Sequence, residues 1–203
     1  MEKEQKEAIL AWVLHRFREK GVRSVTMDEI AAHAGISKRT LYEQFGDKEQ
    51  LLIECLKYHW AQEQKTLMEY AESGTHNVLE LILFSFNQKL AACRNTYPGF
   101  TRDIMRYRRV TEYVQLYNKN SSREFIAALK LGVEQGLMRG DIRFELFEEF
   151  LTAQLRLLYE EGVWRKYTPQ EVFRLILLVW LRGISTEEGG RIIDTYMKEE
   201  MEF

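Results

Sequence analysis

Lys38 and Arg39 are adjacent cations in a stretch that also holds the hydroxyl groups of Ser37, Thr40 and Tyr42. Forked and cationic donors of this kind match the O6 and N7 acceptors that guanine presents in the major groove of DNA. These residue types predict contact with nucleic acid, provided that a helix presents them together on an exposed face.

The residues around this stretch predict two short helices joined by a tight turn. Thr26 and Glu29 form a capping box, in which the two side chains satisfy backbone donors at a helix start. Gly35 ends that helix, because a residue without a Cβ easily takes the left-handed C-terminal conformation, and Ser37 caps the next helix. Two short helices joined by a turn that contains glycine are typical of a helix-turn-helix.

Two flanking helices are predicted to support this pair. Residues 3–20 form an amphipathic helix, and Asp47 caps a long helix that runs over residues 48–72. Because the helix-turn-helix is too small to hold a core alone, the first helix is expected to be its third wall. A domain boundary near residue 50 then falls inside a rigid helix, which transmits a tilt where a flexible linker would not.

The rest of the chain predicts an all-α fold with about nine or ten helices in total. Only two prolines occur, and long segments lack both Pro and Gly. Residues 100–118 are predicted as one helix or two, with a break at Arg108-Arg109. The polar segment 118–122 and a capping box of Ser121 and Glu124 predict the start of a further helix.

Two late helices, residues 144–161 and 169–182, are predicted to be apolar on more than one face. In the first of them, Phe147 and Leu151 lie on one face and Phe150 lies on another. If such a helix packs on one side only, its other apolar face stays exposed to water. The two helices are therefore expected to join their copies in a second subunit as a four-helix homodimer interface. The alternative is burial within a monomeric core.

The composition limits the classes of function. The 203 residues are 45% hydrophobic and 30% charged with a net charge of −2, which is typical of a globular protein. Residues 1–60 hold ten Lys and Arg against ten Asp and Glu, so any nucleic-acid contact must come from a local patch. Cys55 and Cys93 form no disulfide framework, and the most apolar run, residues 172–181, is too short for a membrane span of roughly 20 residues. A cytoplasmic location is expected.

The sequence nominates no catalytic, metal or cofactor site. The four histidines form no His-x-x-x-His pair, and no set of cysteines or carboxylates with the spacing of metal ligands lies near them. No glycine-rich loop of the phosphate-binding type occurs. We therefore expect that the protein is not an enzyme and that it binds no cofactor.

At residues 9–52 the sequence resembles the TetR family of bacterial transcriptional regulators. The matching positions have the family's residue types at the family's spacing: Ile9-Leu10, Phe17, Gly21, Thr26, Ile30-Ala31, Ala34-Gly35-Ile36-Ser37, Thr40-Leu41-Tyr42, Phe45, Lys48-Glu49 and Leu51-Leu52. The resemblance implies that Thr26, Tyr42 and Lys48 contact backbone phosphates. It also implies that residues 37–40 approach base edges. Glu43 departs from the pattern: it accepts from a cytosine amino group or, as we favour, points away from DNA.

The resemblance further implies that residues 1–50 are the DNA-binding domain and that residues 51–203 bind an effector and form the dimer. Candidate effector-pocket residues are mostly aromatic: Phe84, Phe100, Met105, Tyr107, Tyr113, Tyr117 and Trp164. The alternative for each of them is an ordinary place in the core.

These features predict a dimeric regulator that binds a palindromic operator on double-stranded DNA. By the default of the family it is a repressor that a small-molecule effector releases. The predicted DNA-binding residues are Thr26, Ser37, Lys38, Arg39, Thr40, Tyr42 and Lys48. The alternative is a helical, dimeric interaction protein that keeps the helix-turn-helix frame but acts through protein partners.

Overall fold

The computed structural model describes residues 2–94, 96–97, 99–160 and 166–200. Ten α-helices lie within these residues: α1 (Lys3–Lys20), α2 (Met27–Ala34), α3 (Lys38–Phe45), α4 (Lys48–Glu72), α5 (Val78–Arg94), α6 (Phe100–Ile104), α7 (Arg108–Glu134), α8 (Phe144–Glu160), α9 (Pro169–Leu175) and α10 (Glu187–Glu200). A π-helical segment, Ile176–Leu181, follows α9 directly. The all-α prediction is confirmed, and no described helix has both the length and the apolarity needed to cross a membrane.

A buried core holds α1, α2 and α3 together. Phe17 of α1, Ile30 of α2 and Leu41 of α3 are completely buried in one hydrophobic cluster. Leu51 and Leu52 at the start of α4 belong to the same cluster. As predicted, α1 is therefore the third wall of the helix-turn-helix, and the beginning of α4 is packed beneath it.

This core extends past the start of α4. Phe100 of α6 and Val110 of α7 are buried in the same cluster. The first compact unit of the chain accordingly comprises Met1–Thr66 and Asn95–Asn118. The functional division near residue 50 stays a prediction, because a packing unit and a functional part need not end at the same residue.

The second compact unit, Leu67–Arg94 with Lys119–Phe203, has a core of its own. Leu79 of α5, Leu129 of α7 and Ile193 of α10 are completely buried in it. Helix α7 contributes buried residues to both cores, because it continues without interruption from the first unit into the second.

The predicted helix start at residues 118–122 is wrong, because α7 runs straight through this segment. The capping box of Ser121 and Glu124 therefore lies inside the helix. The segment is polar but contains neither Gly nor Pro. Val114 before it and Phe125 after it are eleven residues apart, which is about three helical turns, so one apolar face continues through the polar stretch.

Residues 100–118 contain two helices, but the break between them lies at residues 105–107 and not at the predicted Arg108-Arg109, which begin α7. Helix α6 ends at Ile104 and α7 begins at Arg108. The Thr111 hydroxyl donates to the carbonyl oxygens of Met105 and Tyr107 at 3.1 and 3.0 Å. The two helices are therefore separated by a short turn that the first turn of α7 stabilises.

Candidate nucleic-acid interface

Two side-chain caps start the helices of the helix-turn-helix at the predicted residues. The hydroxyl of Thr26 accepts from the Glu29 backbone N–H at 3.1 Å. The hydroxyl of Ser37 accepts from the Thr40 backbone N–H at 3.0 Å. Each cap satisfies a donor that the first helical turn leaves unpaired.

The turn between α2 and α3 depends on Gly35. Its φ of 65° lies in the left-handed region, which a residue with a Cβ adopts only at a cost. The Ile36 N–H then donates to the Ala31 carbonyl at 3.1 Å, as in the usual glycine-ended helix terminus. This turn fixes the direction in which α3 leaves α2.

Helix α3 and its N-cap residue expose several of the predicted DNA-binding side chains, while Leu41 and Phe45 of the same helix are buried. The Arg39 and Lys38 side chains are 88% and 51% exposed. Tyr42 is 44% exposed. We call the following group the α3 surface: Ser37, Lys38, Arg39, Thr40 and Tyr42.

Both cations of the α3 surface are paired with carboxylates of the same unit. Lys38 Nζ lies 2.9 Å from a carboxylate oxygen of Asp28, and this hydrogen bond raises the pKa of Lys38. Arg39 Nε donates to Glu43 at 2.8 Å. Exposed ion pairs are usually worth less than about 1 kcal/mol, so both cations are able to exchange their carboxylates for acceptors on DNA.

Lys48 is fixed at the start of α4. Its Nζ donates to the Arg23 carbonyl at 3.4 Å and lies 5.9 Å from the centre of the Phe17 ring. Partial burial lowers the pKa of Lys48. Asp47 caps α4, as predicted, by accepting from the Gln50 N–H at 2.8 Å. A cation held at a helix N-terminus is well suited to bind a phosphate group.

Two of the predicted effector residues meet in an aromatic stack of the first unit. Tyr113 and Tyr117 of α7 lie beside Trp60 of α4, with ring centres 5.6 and 3.6 Å from it. The Lys57 Nζ lies 5.5 Å from the centre of the Tyr113 ring. The sequence did not pair these rings with Trp60, because contacts between distant helices leave no local signal.

The other predicted effector residues have different surroundings. Phe100 is buried in the core of the first unit, and the half-buried Tyr107 packs against that core. Burial raises the pKa of Tyr107. Met105 is 43% exposed. Phe84 belongs to the second unit, and Trp164 lies outside the described residues.

Helix α5 of the second unit carries Phe84 and a buried amide that the sequence did not single out. The Phe84 ring stacks on Tyr70 with ring centres 4.0 Å apart. One turn further along α5, Nε2 of Gln88 is buried and has no hydrogen-bond partner among the described residues. Buried donors are normally paired, so this amide is a candidate contact for an acceptor oxygen on a ligand.

The sequence of this chain matches known transcriptional regulators. Residues 9–55 match the family model described as bacterial regulatory proteins, tetR family. Over 187 residues the chain is 27% identical to the HTH-type transcriptional repressor KstR2 of Mycobacterium tuberculosis, a match that covers 85% of this chain and 88% of KstR2. The chain belongs to the TetR family.

Solved structures share the fold over most of this TetR-family chain. The fatty acid degradation regulator FadR of Bacillus halodurans matches with a TM-score of 0.64 at 19% identity, covering 90% of this chain and 100% of FadR. A γ-butyrolactone receptor matches with a TM-score of 0.64 at 20% identity, covering 98% of this chain and 99% of the receptor. At these identities the likeness shows the fold alone, and it confirms an N-terminal helix-turn-helix followed by a helical C-terminal domain.

Membership of the TetR family also confirms the predicted class of function. The chain is a DNA-binding transcriptional regulator and not an enzyme. This favours DNA binding over the alternative of an interaction protein that acts only through protein partners. Among the described residues, no group of three or more His, Cys, Asp or Glu side chains is placed to hold a metal ion.

Proposed function

We propose that this TetR-family chain is one subunit of a homodimeric repressor that binds a palindromic operator and leaves it when a small molecule binds. The α3 surface carries this proposal, because it presents exposed cations and hydroxyl groups on a helix whose start is capped. In a complex with DNA, Lys38 and Arg39 bind the guanine edges of the major groove.

The other predicted DNA-binding residues are proposed to position α3 on the DNA. Thr26, Tyr42 and Lys48 are proposed to contact phosphates, while Ser37 and Thr40 lie at the start of α3, where it enters the groove. Thr26 and Lys48 stand at the starts of α2 and α4. The N-termini of these helices attract the negative phosphate groups.

An exposed apolar stripe on α8 supports the homodimer. Leu146, Phe150 and Leu157 are 59%, 50% and 50% exposed, and their spacings of four and seven residues place them on one helical face. On the other face, Phe147 and Leu151 pack with Val172 of α9. The two-faced character predicted for α8 is thus present, with one face buried in its own unit.

The proposed occupant of the α8 stripe is a second copy of this chain. Leu175 of α9 and Val179 of the π-helical segment are 60% and 54% exposed, so α8 is not alone in exposing large apolar side chains. Clusters of this kind commonly mark protein interfaces, and a two-fold interface needs only one self-complementary surface. The proposed interface comprises residues 144–161 and 169–182, of which 161 lies outside the described residues.

Dimerisation also explains how a region without net positive charge binds DNA. The ten cations of residues 1–60 are balanced by ten carboxylates. Affinity must therefore come from a few local contacts, and a dimer doubles them by binding two half-sites one helical turn of DNA apart. The protein acts where DNA is found, which for a bacterial regulator is the cytoplasm.

We propose that the effector is a small, largely apolar molecule with an oxygen acceptor. The unpaired amide of Gln88 supplies a donor, and the stacked rings of Tyr70 and Phe84 supply apolar surface in the same unit. One similar structure is described as a γ-butyrolactone receptor, and another as a ketosteroid transcriptional regulator. Helices α4 and α7 each continue from the first unit into the second, so a shift of either helix reaches the residues beside α3.

Capture of genomic DNA fragments on the purified full-length protein tests this function. The expected result is an enriched motif with two-fold symmetry, bound by two chains or a multiple of two. Candidate effectors are then added to the complex, and the active one releases the DNA. Recovery of fragments without a common motif would contradict operator binding, and an unchanged complex with every compound would contradict effector release.

A further inference from the structure

An arginine of α7 binds both carboxylates that flank Lys48. Arg109 Nη2 lies 2.5 Å from Asp47 and Arg109 Nε lies 3.2 Å from Glu49. The backbone N–H of Arg109 also donates to Glu49 at 2.7 Å. The start of α7 is thus joined to the start of α4 by three polar contacts within the first unit.

These contacts change the electrostatics around Lys48. Asp47 and Glu49 are its two neighbours in the chain, and unpaired carboxylates there would repel an approaching phosphate group. Arg109 supplies the opposite charge, so that Asp47, Lys48, Glu49 and Arg109 together carry no net charge. Arg109 engages both carboxylates of this group, and the carboxylate that acts on the Lys48 ammonium group is Glu29 of α2, whose charge partly offsets the lowering of the Lys48 pKa by burial.

The same contacts fix the backbone that carries Lys48. Asp47 accepts both from Arg109 and from the Gln50 N–H, and these two hydrogen bonds hold the pKa of Asp47 below its usual range. Glu49 is only 22% exposed in its side chain. The first turn of α4 is therefore held by α7 on the side of its carboxylates and by Arg23 and Phe17 on the side of Lys48.

We propose that Arg109 is a positioning residue for DNA binding. It keeps Asp47 and Glu49 turned away from the phosphate that Lys48 binds, and it sets the place of Lys48 through the first turn of α4. Arg109 lies outside residues 9–55, the part of the chain that the family model matches. The inference rests on the proposed phosphate contact of Lys48.

A mutant cycle of operator binding tests this role. It measures the effect of Arg109→Gln both in the presence and in the absence of the two carboxylate charges. The cycle compares the wild type, Arg109→Gln, the pair Asp47→Asn with Glu49→Gln, and all three changes together. Asparagine is itself a good helix cap, so the pair keeps the start of α4. Arg108→Gln is the matched control, since Arg108 is 90% exposed and pairs with Glu112 on the same helix.

Arg109→Gln is expected to weaken operator binding about three- to tenfold, while Arg108→Gln changes it less than about twofold. In the background that lacks both carboxylate charges, Arg109→Gln is expected to have almost no further effect. An equal loss in both backgrounds would overturn the inference, because it would mean that Arg109 touches DNA directly or only supports the fold. An equal effect of the two arginine variants would overturn it as well.

Thermal unfolding and sedimentation of every variant show whether the fold and the dimer are intact. If Arg109→Gln unfolds, Arg109→Lys replaces it in the same cycle, because lysine keeps the charge but not the forked contact with two carboxylates. If the wild type binds the operator and Arg109→Gln binds it equally well, this inference is overturned while the proposed function stands. Failure of the wild type to prefer any duplex would instead overturn the proposed function, and this inference with it.

Discussion

The α3 surface and the α8 stripe are both exposed, but their chemistry is opposite. The α3 surface consists of cations and hydroxyl groups, and its Lys38 and Arg39 are held by carboxylates at 2.9 and 2.8 Å. The α8 stripe consists of large apolar side chains such as Leu146 and Phe150, at least half of each exposed. Water solvates the first surface well and the second poorly.

This difference indicates two kinds of partner. Exposed ion pairs cost little to exchange, so the α3 surface suits a partner that comes and goes, as an operator does. Apolar surface is costly to leave in water, so the α8 stripe suits a partner that stays. This difference supports the proposed roles, which are reversible DNA binding by α3 and a lasting subunit contact through α8.

The largest effect is expected from a charge in the α8 stripe. Phe150→Arg places a cation in the proposed dimer contact, so sedimentation should show a monomer. Loss of the second half-site should weaken operator binding about a hundredfold or more. Met68→Arg is the control, because Met68 of α4 is 63% exposed and lies outside the stripe. A dimeric Phe150→Arg protein would remove the basis for treating α8 as the lasting contact.

A smaller and more selective effect is expected from Arg39→Ala. Loss of a guanine contact should cost about 1–3 kcal/mol of operator affinity and leave binding to random duplex almost unchanged. Arg108→Ala is a close control, since Arg108 pairs with Glu112 four residues on at 2.9 Å, just as Arg39 pairs with Glu43. Equal losses on operator and random duplex, measured by fluorescence anisotropy, would make Arg39 a backbone contact and not a base reader.

Lys48→Ala is expected to weaken operator and random duplex alike, by about 1 kcal/mol. A phosphate contact carries no sequence information, and its loss should reduce the salt dependence of binding by about one counterion. The measurement is a titration of both duplexes at several salt concentrations. Lys130→Ala, which removes an exposed lysine of the second unit, provides the control. An unchanged salt slope would argue against the phosphate contact.

The smallest effect is expected from loss of the Ser37 helix cap at the start of α3, and it concerns stability. Ser37→Ala removes the acceptor for the Thr40 N–H and should lower the free energy of unfolding by about 1 kcal/mol, measured by urea unfolding without DNA. Thr66→Ala is the control, because Thr66 lies inside α4 and its hydroxyl only donates to the Gln62 carbonyl. A stability equal to the wild type would show that the Ser37 cap contributes little to the helix.

The sequence predicted the features that depend on residues close together in the chain. The caps at Thr26, Ser37 and Asp47 each join a side chain to a backbone N–H three residues on, so a window of four residues suffices to recognise them. The left-handed turn at Gly35 is local in the same way. Together these local signals define where α2, α3 and α4 begin, without any tertiary contact.

The features that the sequence did not predict depend on residues far apart or on competition between signals. Arg109 and Glu49 are separated by 60 positions, and no local pattern pairs them. At residues 118–122 a real capping signal was present, but the apolar face of α7 continued through it and decided the structure. The predicted effector residues had the same difficulty, because an aromatic side chain in a core and one beside a ligand look alike in a sequence.

Base reading by the α3 surface is tested by operator affinity measured beside random-duplex affinity, for the wild type and for the double variant Lys38→Ala with Arg39→Ala. Both are measured by fluorescence anisotropy at one roughly physiological salt concentration. The wild type should bind its captured operator at least about a thousandfold more tightly than random duplex, and the double variant should lose most of that preference while remaining a folded dimer. A wild-type protein that binds no fragment more tightly than random duplex would contradict the proposal that this protein recognises an operator.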